Sequence, residues 1–352
     1  MHKLDNSRLD EFIAVLSKGS TVIAPEKTTS APPSSSELFQ EQYNLSRADA
    51  WQPGRHMLAP YRPVEPLKAL VFPPRERVGM IGREADVPEL AVRVVVGVKN
   101  CDLSALKIHD YVFLETEPVD PFYAEARRKT IIVSCDCTDA REVCFCTAVR
   151  EQPYAKEGYD INLSPTPRAI LVEAGSERGE ALLRDAAGLL QPADKSLIAE
   201  RDAARAKMTE RVAAQAAARG LTAESDLQDA IRKTVDSELW DDFARDCVEC
   251  GACNFVCCTC HCFLLADGTT AGGAARLKQW DSCLYRNFAR VAGGANPRRH
   301  RAERLHNRFD KKFNFFPDVL GRYACDGCGR CTEACTGKID IRDVLKRALD
   351  ER

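Results

Sequence analysis

Cys247-Val248-Glu249-Cys250-Gly251-Ala252-Cys253-Asn254-Phe255-Val256-Cys257 recurs in pattern as Cys325-Asp326-Gly327-Cys328-Gly329-Arg330-Cys331-Thr332-Glu333-Ala334-Cys335. Both stretches read C-x2-C-x2-C-x3-C. In such a run, three closely spaced thiolates cap three irons of one 4Fe–4S cubane, and the fourth cysteine serves the other cluster. The spacing therefore predicts one cluster on Cys247, Cys250, Cys253 and Cys335, and a second on Cys325, Cys328, Cys331 and Cys257. The two-residue spacing also bends the backbone so that amide N–H groups point at sulfur. Gly251 and Gly329, each directly after a second cysteine, supply the freedom that bend requires. A zinc site needs only paired Cys-x2-Cys units, which two full runs exceed.

The runs depart from the usual pattern in two places. The residue after the fourth cysteine, commonly proline, is Cys258 in the first run and Thr336 in the second. Neither change removes a ligand. Residues 258–324 lie between the runs and read as helical. A helix-rich two-cluster ferredoxin domain over 241–352 is therefore expected, in place of a compact form built on two hairpins.

The wider composition supports metal binding. Seventeen cysteines, an odd number and mostly two or three residues apart, cannot all pair in good disulfide geometry. A formal net charge of −2 offers no global attraction to nucleic acid or an anionic membrane. No run of 18 apolar residues occurs, so no membrane span is expected. Residues 1–8 lack an apolar signal region, which leaves a reducing, cytoplasmic location as the expectation. No glycine-rich phosphate loop is present, which argues against nucleotide binding by this chain. The six histidines form no pair at ligand spacing near a carboxylate, and read as surface or packing residues. Residues 286–312 are dense in Arg, Lys and His. They read as a solvated helix face, or functionally as a docking surface for an acidic partner or a source of charge that tunes the nearby cluster. They lack the interleaved aromatics that base stacking needs, so no nucleic-acid role is expected.

Upstream, Leu9, Phe12, Ile13 and Leu16 predict a short helix, followed by a strand at 21–24 and a Ser/Thr/Pro loop over 27–36. Apolar runs at 69–72, 94–98, 131–133 and 169–172 predict further strands, and 179–190 a helix. The expected fold class is α+β, with a mixed α/β domain over 1–194 ahead of the ferredoxin domain. Residues 195–240, rich in Ala, Glu, Arg and Lys, predict a helical linker that reads as a solvated spacer.

Nine cysteines remain outside the two runs. Cys101 follows a predicted strand in a Gly97-Val98-Lys99-Asn100-Cys101-Asp102 turn, and Cys135, Cys137, Cys144 and Cys146 lie close together. Beyond the first run the chain reads Cys257-Cys258-Thr259-Cys260-His261-Cys262-Phe263, then Trp280-Asp281-Ser282-Cys283 and Ala292-Gly293-Gly294. With Cys144-Phe145-Cys146 and Gly158-Tyr159-Asp160, these motifs in this order resemble the iron–sulfur beta subunit of sulfhydrogenases and the A subunit of anaerobic sulfite reductase. Related subunits accompany heterodisulfide-reductase-like complexes. The resemblance covers most of the chain from about residue 94.

That resemblance implies a cytoplasmic, anaerobic electron-transfer subunit of a hetero-oligomeric oxidoreductase complex. Its partners would be a flavin-containing, NAD(P)H-oxidising subunit and a catalytic redox subunit. It also implies that Cys101, Cys135, Cys144 and Cys146, the family-matching cysteines of the N-terminal domain, hold a third 4Fe–4S cluster. A zinc site or buried free thiols are the alternatives there. Cys137 and Cys258 stand as additions to the family pattern. Cys258, Cys260, Cys262 and Cys283 could form a further metal site, or pack near a cluster and tune it. No residue is assigned a catalytic role. The rival readings are a catalytic subunit that reduces a disulfide or sulfur species at an unusual cluster, and a scaffold with structural metals only.

Overall fold

The computed structural model describes residues 1–28, 41–83 and 87–352, so most of the loop expected over 27–36 lies outside the described residues. Among the described residues eleven strands are formed: β1 His2–Leu4, β2 Thr21–Lys27, β3 Tyr43–Ala48, β4 Arg75–Met80, β5 Arg93–Val98, β6 Thr130–Cys135, β7 Ile161–Pro165, β8 Ile170–Ala174, β9 Gln191–Pro192, β10 Phe263–Thr270 and β11 Gly273–Trp280. An eight-stranded sheet runs in the order β3-β2-β5-β6-β7-β8-β1-β9. Its centre, β2-β5-β6-β7, is parallel, and its flanks are antiparallel.

Burial on both faces explains why β5 and β6, at the centre of the sheet, are largely β-branched runs. Successive side chains of a strand point to opposite faces. Val94 and Val96 accordingly pack with Phe12, Ile13 and Leu16 of the helix Leu9–Leu16. Val95, and Val98 past the register shift that follows Val96, pack with Leu103 and Leu106 of the helix Asn100–Asp110 and with Tyr123. Parallel strands aim their carboxyl ends to one edge of the sheet, where ligands usually bind. Here β5 leads into Cys101 and β6 leads into Cys135 and Cys137.

The C-terminal region is helical around a second core. Phe145, Leu227, Ile231, Trp240, Phe309, Phe313 and Val344 meet there with Cys325. The class is thus α+β, as the sequence indicates: a sheet-rich N-terminal part and a helix-containing region that carries both cysteine runs.

Three local expectations are corrected. Residues 69–72 are not a strand but lie mostly in the short helix Lys68–Val71, because a four-residue apolar run carries no usable period. Residues 195–240 are not a solvated spacer. The helix Lys195–Ala217 buries Leu197, Met208, Val212 and Ala216, and the helix Leu227–Lys233 places Leu227, Ala230 and Ile231 in the C-terminal core. The insert between the runs is only partly helical. It opens with the hairpin β10-β11, and β11 pairs antiparallel with β4, a strand drawn from far upstream.

Candidate iron–sulfur sites

Cys247, Cys250, Cys253 and Cys335 line one cavity, walled by Leu284, Leu305 and Phe309. Gly251 and Gly329 adopt φ of 74° and 69°, the left-handed turn that lets each run wrap back on itself. The Ile339 N–H donates to Cys335 Sγ at 3.3 Å. Cys250 is exposed, so this site reaches the surface.

Cys257, Cys325, Cys328 and Cys331 form a second, deeper group, each within electrostatic reach of others in the set. Cys331 also lines the first cavity. Hydrogen bonds from Cys258 and Cys260 hold the Cys257 thiol well below its ordinary value. The Cys258 thiol, 3.8 Å from Cys328 Sγ, pulls Cys328 down to about 6.

A third cavity is lined by Cys101, Cys137, Cys144 and Cys146, together with Arg62, Gly327 and Cys328. Three of the four cysteines expected here are therefore brought together, and Cys135 is not among them. Cys135 ends β6 and packs in the sheet core with Val133 and Leu163, its thiol 3.4 Å from the Asp136 carbonyl. Cys137, read from sequence as an addition, takes its place because the chain turns away past the strand end. The Cys137 N–H is held there by the Pro153 carbonyl at 2.9 Å. Burial pushes the Cys137 thiol up to about 12 and raises Cys101 and Cys146 as well, so iron must displace protons to bind.

The four remaining cysteines do not converge on one point. Cys258 turns to Cys328 and to Asp326, whose carboxylate lies 3.5 Å away. Cys260, Cys262 and Cys283 line a separate cavity.

Buried cations test whether an anionic group fits among these thiols. Arg308 and Lys312 are 4% and 5% exposed, and neither has a carboxylate partner among the described residues. Lys312 Nζ donates to Cys257 Sγ at 3.3 Å, and Arg308 to Asn254 Oδ1 at 2.9 Å and the Cys253 carbonyl at 3.5 Å. Burial opposes charge on both, and the neighbouring thiolates of Cys253, Cys331 and Cys257 outweigh it. A buried, unpaired cation is costly. Thiolate-bound iron–sulfur clusters supply the missing negative charge, so the donor set fits them. Among the described residues no group of three or more His, Cys, Asp or Glu is placed to hold a single metal ion.

The sequence marked Arg308 and Lys312 only as part of the basic stretch 286–312, and did not single out Arg62 or Arg330. Arg330 and Asp102 form a fully buried pair at 2.7 Å that joins the second cysteine run to the helix carrying Cys101. Arg62 donates to the Cys328 carbonyl at 2.9 Å. These contacts span more than 220 residues, so no local signal could have found them.

Comparison with known proteins agrees with this geometry. Residues 246–339 match the family model described as a 4Fe-4S dicluster domain. Over 287 residues the chain is 32% identical to sulfhydrogenase 2 subunit beta of Pyrococcus furiosus, covering 81% of this chain and 83% of that protein. No solved structure matches. With two cysteine runs in a dicluster domain and likeness along most of its length, the chain belongs to the sulfhydrogenase beta-subunit family and is an iron–sulfur electron-transfer subunit.

Proposed function

We propose that this chain relays electrons through three 4Fe–4S clusters set in a row. Cys247, Cys250, Cys253 and Cys335 would hold the first, Cys257, Cys325, Cys328 and Cys331 the second, and Cys101, Cys137, Cys144 and Cys146 the third. One observation carries the reading: the middle set touches both neighbours. Cys331 lines the first cavity, and the Cys328 carbonyl lies 4.0 Å from Cys144 Sγ in the third. Each cluster, when bound, accepts and releases one electron, with a potential set by its charge, hydrogen bonds and exposure. The chain's own part is to hold thiolates, donate the Ile339 N–H to sulfur and fix cations beside the middle set.

In the cytoplasm, the relay would join a flavin-containing, NAD(P)H-oxidising subunit to a catalytic redox subunit of hydrogenase, sulfite-reductase or heterodisulfide-reductase-like type, in a hetero-oligomeric complex. The likeness to a sulfhydrogenase beta subunit supports that placement. The exposed Cys250 edge supplies one point of electron entry or exit. No residue of the chain is assigned a catalytic role.

Iron and acid-labile sulfide analysis of the purified chain tests the count, with about twelve irons expected and about eight sinking the third cluster. Cys137→Ser should lose about four irons, whereas Cys135→Ser should keep them. The reverse result would return the third site to Cys135.

A further inference from the structure

We propose that the cavity beside the middle cysteine set binds a small tetrahedral oxyanion of the sulfate or phosphate type. The cavity measures about 260 Å³ and is lined by Arg298, Arg308, Lys311 and Lys312, with no Asp or Glu among its described lining residues. That volume holds about nine waters at ~30 Å³ each, enough for one oxyanion and part of its hydration.

The charge on its wall is not balanced from within the chain. Arg308 and Lys312 share their charge with the thiolates of the first and middle sets. Arg298 and Lys311 have no such neighbour, and neither forms an ion pair among the described residues. Asn307 adds a polar side chain that is 4% exposed and makes no hydrogen bond among the described residues. The Cys262 thiol on this wall does not supply the missing charge, since burial pushes it up to about 11. Arg298 and Lys311, left without an acid on this concave surface, focus a positive potential there. A small anion can enter such a cavity, whereas a folded acidic surface cannot.

The position gives the anion a consequence. Lys312 faces this cavity and also donates to Cys257 Sγ. A bound dianion would compete for that positive charge and disfavour an added electron on the middle cluster, lowering its potential. The site would thereby report anion concentration to the relay. This consequence rests on the relay reading, while the binding itself does not.

Isothermal titration of the iron-loaded full chain with sodium sulfate, and separately with inorganic phosphate, against sodium chloride of equal ionic strength tests the site. Saturable one-site heat is expected from at least one of the two. The Arg298→Gln/Lys311→Gln double variant should bind at least tenfold more weakly, with iron content and circular dichroism unchanged. Heat that does not saturate, or that survives the double substitution, overturns the proposal. So does a loss of about four irons in Cys262→Ser or Cys283→Ser, which would make the cavity a metal site. A redox titration with and without sulfate should lower one midpoint in the parent chain only. If sulfate binds but that midpoint does not move, the anion site stands and its coupling to the relay is lost.

Discussion

Lys312 places its ammonium 3.3 Å from Cys257 Sγ, 2.7 Å from Thr259 Oγ1 and 2.9 Å from the Ala324 carbonyl. These contacts occupy its three N–H donors, so its charge is fixed in direction. A fixed cation beside a ligand sulfur favours the reduced, more negative cluster. Lys312→Gln should therefore lower the midpoint potential of the middle cluster by on the order of 60 mV, one factor of ten for a single electron. An EPR-monitored redox titration reads this directly, and an unmoved potential would leave Lys312 a packing role only. Spacing alone picks out eight of the cysteines as candidate ligands, because each run keeps three of a cubane's ligands close together along the chain. The cation that balances them is not legible that way, since Lys312 reaches Cys257 from a separate element.

Two kinds of element bring such groups to the cysteines. Residues Asp310–Phe315 form a π-helical segment, a rare form frequent at functional sites, and it carries Lys311 and Lys312. The turn Asp326-Gly327-Cys328-Gly329 docks the second run onto the loop bearing Cys144 and Cys146. There the Phe145 N–H donates to the Gly327 carbonyl at 2.8 Å. A Cβ on Gly327 would lie 2.4 Å from the Cys146 Cα, and one on Gly329 would lie 2.4 Å from the Val143 carbonyl oxygen. Gly327 also has φ of 63°, which costs a non-glycine residue roughly 1–2 kcal/mol before any clash. Gly327→Ala should thus destabilise the chain by about 2 kcal/mol or more and release iron first from the third site. Chemical denaturation with iron analysis checks both, and full retention of iron would separate that turn from the third site. The sequence marks Gly329 as a wrap residue, but its close approach to Val143 needs the folded chain.

Across the whole molecule, Glu333 of the second run pairs with Arg62 at 2.8 Å and Arg141 at 2.7 Å, both from the N-terminal part. Burial pushes the Glu333 carboxyl up, and the two guanidinium groups outweigh it and hold it below its ordinary value. A depressed carboxyl contributes stability above its unfolded value, near 4.3, and loses it as pH falls through the lower folded value. The apparent unfolding midpoint should therefore drop on acidification below about pH 5. Glu333→Gln should flatten part of that drop while lowering stability at neutral pH. Thermal scans from pH 3 to 7 decide it, and an unchanged acid slope would remove Glu333 from the clamp.

The sequence by itself determined the two cysteine runs, their crossed pairing as an expectation, the α+β class and the strands β2, β5 and β6, while β7 went unread. Each of these is written in local spacing or in a run of β-branched residues. Tertiary structure alone decided which thiol of one neighbouring pair lines the third cavity. Cys135 and Cys137 are two residues apart and chemically identical, and only the end of β6 turns one into the core and the other into the cavity. It also decided the pairing of β4 with β11 and the placing of Arg330 against Asp102, because contacts between distant segments leave no local period or spacing to read.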